Sequence, residues 1–262
     1  MNRLEACFRT ARETGRTLLV PYVCAGDPDL ETTERLVPAL AEAGADVIEL
    51  GVPFSDPLAD GPTIQAASQR ALASGTTLDG VLGLVDRLRH SGCLAPLVLF
   101  GYLNPIVSMG AESFVSRAAS VGVDGFLVAD LPLEESDELS RLARARGLSL
   151  VLLAAPTTPE ERLRAIGART HGFLYFVSVT GVTGARSELP ADLPGRLDAV
   201  RRTAGVPVAV GFGISAPEQA RALAGHADAV VVGSALVDAL HRGGVAAGLG
   251  LVRSLVSALA SR

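Results

Sequence analysis

Lysine is missing from this 262-residue chain, since all 23 of its Lys-plus-Arg positions are arginine. That excludes Schiff-base chemistry on a side-chain amine. Cysteine is scarce: Cys7, Cys24 and Cys93 make an odd number without Cys-x-x-Cys spacing, which indicates neither a disulfide framework nor a zinc site and fits a reducing compartment. The four histidines, His90, His171, His226 and His241, fall on helical patterns or at strand starts, so no histidine-based metal site is expected at a catalytic face. Basic runs are absent apart from the pair Arg201-Arg202, and the net charge is only -5, so nucleic acid is not an expected partner. Met1 to Cys7 carries an early acid and lacks the apolar core of a signal peptide, and no uninterrupted apolar stretch reaches membrane-spanning length. The expectation is a soluble cytoplasmic protein that does not engage a membrane.

What is present is a strong alternation. Eight short apolar runs read as strands: Leu18 to Cys24, Asp46 to Leu50, Ala95 to Gly101, Gly125 to Ala129, Ser149 to Ala154, Gly172 to Ser178, Val206 to Val210 and Ala229 to Gly233. Between them lie helical patterns, among them Glu31 to Ala43, Pro62 to Ala73, Leu78 to Ser91, Ala111 to Val121, Leu133 to Arg146, Pro159 to Gly167, Leu193 to Ala204 and Ala216 to Ala224. Continuous apolar strands alternating with helices are what a parallel sheet covered on both faces requires. Eight such pairs without a linker or composition shift predict α/β architecture, a single (β/α)8 TIM barrel over residues 1–262, with an open doubly wound sheet as the alternative. An extra N-terminal helix is predicted over Arg3 to Thr14, with Leu4, Phe8 and Ala11 on one face, and a last helix over Val245 to Leu259.

In a barrel of this kind the active site lies in the loops after the strands. The loop from Glu49 to Pro62 is the longest, about twice the usual 2–6 residues of a strand-to-helix connection. Pro53, Pro57 and Pro62 stiffen it. Glu49 ends an apolar run, where desolvation raises a carboxylate's pKa and makes it a usable proton shuttle, whereas Asp60 sits in polar loop sequence and is expected to stay ionised. The competing reading makes Glu49 a strand-end residue satisfied by a backbone amide and Asp60 a charge at a helix N-terminus. The glycine-rich stretches around Gly213 and around Gly233-Ser234-Ala235 follow the last two strands, the recurrent phosphate site of such barrels, and amides around Ile214-Ser215 can point at an anion. Gly181 and Gly184 bracket a stretch that reads as a hinged lid or an ordinary surface loop. Tyr175 faces a catalytic carboxylate or packs outward, depending on register.

Together, Pro21 to Pro28, Glu49 to Pro62, Asp130-Leu131-Pro132, Gly181 to Gly184 and Gly211 to Ile214 resemble the α subunit family of tryptophan synthase, over nearly the whole chain. The resemblance implies cleavage of indole-3-glycerol phosphate to indole and glyceraldehyde 3-phosphate without metal or cofactor on this chain. It implies Glu49 as acid and base, and Asp60 as the acceptor of the indole N–H. Tyr175 and Thr183 would support them. Gly184, Gly213, Gly233 and Ser234 would form the phosphate cradle, and Tyr22, Phe100 and Phe212 the walls. Tyr22 and Phe100 depart from the Phe and Leu more common in the family. A β subunit carrying pyridoxal phosphate would be the partner in an α2β2 heterotetramer, met through Pro53, Asp56, Asn104 and Pro132. Rival readings are a stand-alone indole-releasing lyase, a phosphosugar isomerase or epimerase using the same two carboxylates, and a non-catalytic module that binds a phosphorylated ligand.

Overall fold

The structure is a computed structural model that describes residues 2–177, 189–211 and 213–260. In chain order its elements are α1 (Arg3–Thr14), β1 (Leu18–Cys24), α2 (Leu30–Glu42), β2 (Ile48–Gly51), α3 (Pro62–Ala73), α4 (Leu78–His90), β3 (Leu97–Gly101), α5 (Leu103–Met109), α6 (Ala111–Val121) and β4 (Gly125–Val128). A 3-10 turn (Leu133–Glu135) precedes α7 (Asp137–Ala145), β5 (Ser149–Val151), β6 (Leu153–Ala154), α8 (Glu160–Arg169), β7 (Leu174–Val177), α9 (Leu193–Ala204), β8 (Val208–Gly211), α10 (Pro217–Leu223), β9 (Ala229–Val232) and α11 (Ser234–Ala260).

All strand pairs are parallel, in the order β5-β4-β3-β2-β1-β9-β8-β7-β6. The run expected as one fifth strand is split at Leu152 into β5, which pairs with β4, and β6, which pairs with β7. The carbonyls of Leu150 and Leu152 accept the amides of His171 and Tyr175, so the two halves join the ends of the sheet and the barrel is nearly closed. Eight expected strands thus become nine segments of one barrel, and the open-sheet alternative is set aside.

Alternate strand residues separate into two buried clusters, as a period-2 element facing two environments must. Leu19, Val23, Ile48, Leu50 and Leu99 pack outward against the helices, whereas Val20, Tyr22, Val98, Phe100, Leu127 and Tyr175 face into the barrel. Leu4, Phe8 and Ala11 of α1 belong to the interior cluster, so this helix plugs the N-terminal end, with Phe8 stacked on Phe173 at 5.0 Å. Three aspartates just before β2, β4 and β9 hold the plug. Arg16 reaches Asp46 at 3.0 Å, Arg3 reaches Asp124 at 3.0 Å, and Arg12 reaches Asp228 at 2.9 Å. Each of these aspartates also accepts a strand amide, from Leu19, Leu97 and Val208 respectively.

α5 follows β3 directly from Leu103, and Pro105 is tolerated in its first turn, where an amide has no intrahelical partner to lose. Two expectations are corrected here. The last helix begins at Ser234 rather than Val245. α11 is long and apolar enough by length and composition to cross a membrane, unlike the expectation from the sequence, but its backbone breaks at Gly244 (φ 70°, ψ −173°) and Leu236, Val237, Val252 and Leu255 are buried against the barrel and its helices.

Candidate active site

Glu49 lies in the middle of β2, flanked in register by Tyr22 of β1 and Val98 of β3. It is 1 % exposed, and neither carboxyl oxygen has a hydrogen-bond partner among the described residues. Burial without compensation pushes its pKa up to about 8, so at neutral pH it carries a proton. The reading in which a backbone amide satisfies this side chain is therefore overturned.

Asp60 is reached through the proline loop. The Val52 amide donates to Phe100 carbonyl at 2.8 Å, Phe54 stacks on Tyr102 at 5.1 Å, and Ser68 of α3 both accepts from the Phe54 amide (2.8 Å) and donates to its carbonyl (3.0 Å). The Asp60 amide donates to Pro57 and its carbonyl accepts from Gln65, which sets the carboxylate over the barrel mouth. Asp60 was expected in a polar loop; it is 6 % exposed, and burial raises its pKa to about 6, opposed by a hydrogen bond from Tyr102. It remains ionised at neutral pH for a different reason than the one inferred from sequence. Tyr102 is the functional residue that sequence reasoning passed over. Its only local signal is an aromatic hydroxyl immediately after a strand.

Tyr175 faces inward, which decides the register left open by the sequence: it is buried in the interior cluster, and burial first, then the charges of Glu49 and Asp60, raise its pKa well above the usual value. Phe100 sits edge-on to both Tyr22 (5.7 Å) and Tyr175 (6.3 Å), so the two carboxylates share an aromatic wall. A cavity of about 410 Å³ continues this wall outward past Leu58, Ala59, Phe100, Ala129, Pro132 and Ala154, large enough for a small aromatic ligand.

On the opposite side, Gly213 takes a positive φ of 87° and Gly233 precedes the N-terminus of α11 at Ser234. The first turn of such a helix leaves amides without intrahelical partners and favours an anion. The Ser215 amide, expected to contribute, donates instead to the Gln219 side chain at 2.7 Å, which leaves the start of α11 as the better-supported anion end. Among the described residues there is no cluster of three or more His, Cys, Asp or Glu side chains that could hold a metal ion. Thr183, Gly184, Phe212 and the lid stretch lie outside the described residues.

Asp56, Asn104 and Pro132 are exposed on the same end of the barrel, whereas Pro53 is buried and stiffens the loop from within. Leu58, 86 % exposed, and Val107, 61 % exposed, add apolar surface there.

The chain matches the family model described as tryptophan synthase alpha chain over residues 8–255. It is 51% identical over 260 residues to the tryptophan synthase alpha chain of Geobacter sulfurreducens, covering 99% of this chain and 98% of that one. A crystal structure of the tryptophan synthase alpha chain from Legionella pneumophila subsp. pneumophila superposes with a TM-score of 0.91 at 36% identity, covering 100% of both chains. A chain from the tryptophan synthase a2b2 complex of Pyrococcus furiosus gives a TM-score of 0.85 at 43% identity, covering 93% of this chain and 98% of that one.

Proposed function

Because this chain belongs to the tryptophan synthase alpha chain family, we propose that it performs a retro-aldol cleavage of indole-3-glycerol phosphate to indole and glyceraldehyde 3-phosphate. The observation that carries the reading is Glu49, a carboxyl sealed in the barrel, without a hydrogen-bond partner among the described residues, its pKa pushed up to about 8. In this scheme the resting Glu49 is an acid. It gives its proton to indole C3, which makes the ring an electron sink. The resulting carboxylate then takes the proton of the glyceryl hydroxyl as the carbon–carbon bond breaks and its electron pair returns to the ring. Glu49 ends protonated, as it began, so the cycle needs no external acid or base.

Asp60, ionised above about pH 6, accepts the indole N–H and opposes the positive charge that develops on nitrogen once C3 is protonated. Tyr102 holds it in place. The phosphate is assigned to Gly213, Gly233 and Ser234, with Gly184, and Tyr22, Phe100 and Phe212 are assigned to the ring wall, with Tyr175 and Thr183 in support. The chain carries no cofactor in this reading. A β subunit holding pyridoxal phosphate takes up the indole in an α2β2 assembly, docked on the end that bears Asp56, Asn104 and Pro132.

The test is indole release from indole-3-glycerol phosphate by the purified chain, with and without a tryptophan synthase β subunit. Slow release that rises steeply with the partner is expected. Fast release unaffected by the partner would assign a stand-alone lyase, and no release in either condition would overturn the reaction.

A further inference from the structure

The stretch Asp130-Leu131-Pro132 follows β4, and the proposed reaction leaves its acid without a part. Backbone pairing places that acid. The Ala129 amide extends the ladder onto the Gly101 carbonyl at 2.8 Å, and the Leu131 amide turns back to the Val128 carbonyl at 3.2 Å, with the Leu131 side chain buried. Asp130, exposed at the corner between them, reaches across to the end of β3, where its Oδ1 accepts the Leu103 amide at 2.8 Å.

That amide belongs to a helix unable to cap itself. Leu103 is the first residue of α5, which is seven residues long, has no acid in its first turn, and receives no side-chain cap bond from Tyr102 at its N-cap position. The Tyr102 hydroxyl is committed elsewhere, to Asp60 and to the Ala59 amide. Pro105 removes one of the two amides that an N-cap side chain ordinarily takes. A carboxylate from the neighbouring strand's loop supplies the missing cap, and it sits where the helix dipole favours negative charge. So short a helix is marginal without such fastenings. The residue fastened by Asp130 is the one next to Tyr102, the side chain that holds Asp60.

We propose that Asp130 is a positioning residue for Asp60: by capping α5 it fixes the backbone at Tyr102, and with it the hydrogen bond that keeps the Asp60 carboxylate over the barrel mouth. The catalytic use of that carboxylate rests on the reaction proposed above; its placement does not.

The sign of the effect separates this route from plain electrostatics. Acting only through space, removal of the Asp130 charge would make a second carboxylate easier to ionise and lower the Asp60 pKa. Loosening Tyr102 does the reverse, because its hydrogen bond opposes the rise that burial causes. Tyr22, Cys24 and Tyr175 also feel the Asp60 charge, but burial keeps all three protonated far above the Asp60 value of about 6, as it keeps Glu49 protonated up to about 8, so none of them adds a charge there.

Carbon NMR of the full chain carrying carboxyl-labelled aspartate, with the Asp60 signal identified by its loss in Asp60→Asn, reads the Asp60 midpoint without any turnover. Asp130→Ala is expected to raise that midpoint by about half a pH unit or more, and the acid limb of kcat/KM for indole release should move with it. Asp130→Asn keeps an acceptor for the Leu103 amide and is expected to leave the midpoint at or slightly below the wild-type value. In a Tyr102→Phe background, Asp130→Ala should no longer raise it. An unchanged or lowered midpoint in Asp130→Ala, an equal rise in Asp130→Asn, or a rise that persists without the Tyr102 hydroxyl would each overturn the assignment. A raised midpoint in a chain whose wild type cleaves no indole-3-glycerol phosphate would uphold the role of Asp130 and bring down the reaction alone.

Discussion

The hydroxyl of Tyr102 donates to Oδ2 of Asp60 at 2.9 Å while accepting the Ala59 amide at 3.1 Å. One side chain thereby fastens the tip of the proline loop to the end of β3 and moderates the charge it carries. Burial alone drives the Asp60 carboxyl upward, and the Tyr102 hydrogen bond pulls it back toward the ionised form.

Replacing Tyr102 by Phe keeps the stack on Phe54 but removes that donor. The Asp60 pKa then rises above about 6, and because the proposed mechanism needs Asp60 ionised, the acid limb of kcat/KM moves to higher pH. Activity on the plateau is expected to drop about tenfold, the effect of losing one hydrogen bond to a charged group. A pH–rate profile checks both. An unmoved acid limb would show that Tyr102 does not tune Asp60.

For the wild-type chain, kcat/KM should rise through about 6 as Asp60 ionises and fall through about 8 as Glu49 loses its proton. Glu49→Gln should lower kcat about 10²–10⁴-fold with ligand binding largely kept. The same substitution has a stability signature. Since the folded-state pKa of Glu49 lies above its ordinary 4.5, its contribution is full below about 4.5 and declines as pH rises through about 8. Gln removes that decline, so thermal melts should show the variant gaining on wild type between about pH 5 and 9. Parallel melting curves across that range would contradict the burial of an ionisable Glu49.

Much of this was legible in the sequence, where local pattern and tertiary context agree. The bounds of β1, α3, α6 and α9 coincide with their hydrophobic runs and flanking signals. Glu49 was readable because a lone acid inside an apolar strand has only desolvated surroundings to occupy. Asp60 was not, because its burial depends on Phe54, Tyr102 and Ser68, which come from three separate segments. The Ser215 amide was misjudged for a similar reason: Gln219, a turn further on, folds back to take it. The break at Leu152 follows from strand pairing on two sides, which no window on a single strand contains.

At the other end of the barrel, Asp228 accepts from Arg12, Arg201 and the Val208 amide. Burial raises its pKa, but these hydrogen bonds and the Arg12 charge outweigh burial and leave it below 3.8. A depressed carboxylate stabilises the fold above its unfolded pKa, and that stabilisation is lost as pH falls through the folded value. Asp228→Asn is expected to cost about 2–3 kcal/mol at neutral pH, less than a fully buried pair because both arginines are partly exposed and rehydrate. Urea unfolding should show the gap narrowing below about pH 4. A gap independent of pH would mean that the ionic part of this contact contributes nothing.

Leu58 is the strongest candidate for an anchor to the partner. It is 86 % exposed at the tip of a loop that Pro53, Pro57 and Pro62 hold rigid, so little chain entropy is lost when it docks. Leu58→Asp should weaken binding to the β subunit about 10–100-fold, matching the about 1.5–3 kcal/mol gained by burying a leucine side chain. Leu94 supplies the control. It is 78 % exposed between α4 and β3, at the end of the barrel where the strands begin. If docking uses the strand C-terminal end, titration calorimetry with the β subunit will separate the two, with Leu94→Asp binding as wild type does. Equal losses at both positions would instead point to a general solubility effect, and no loss at Leu58 would move the interface away from this loop.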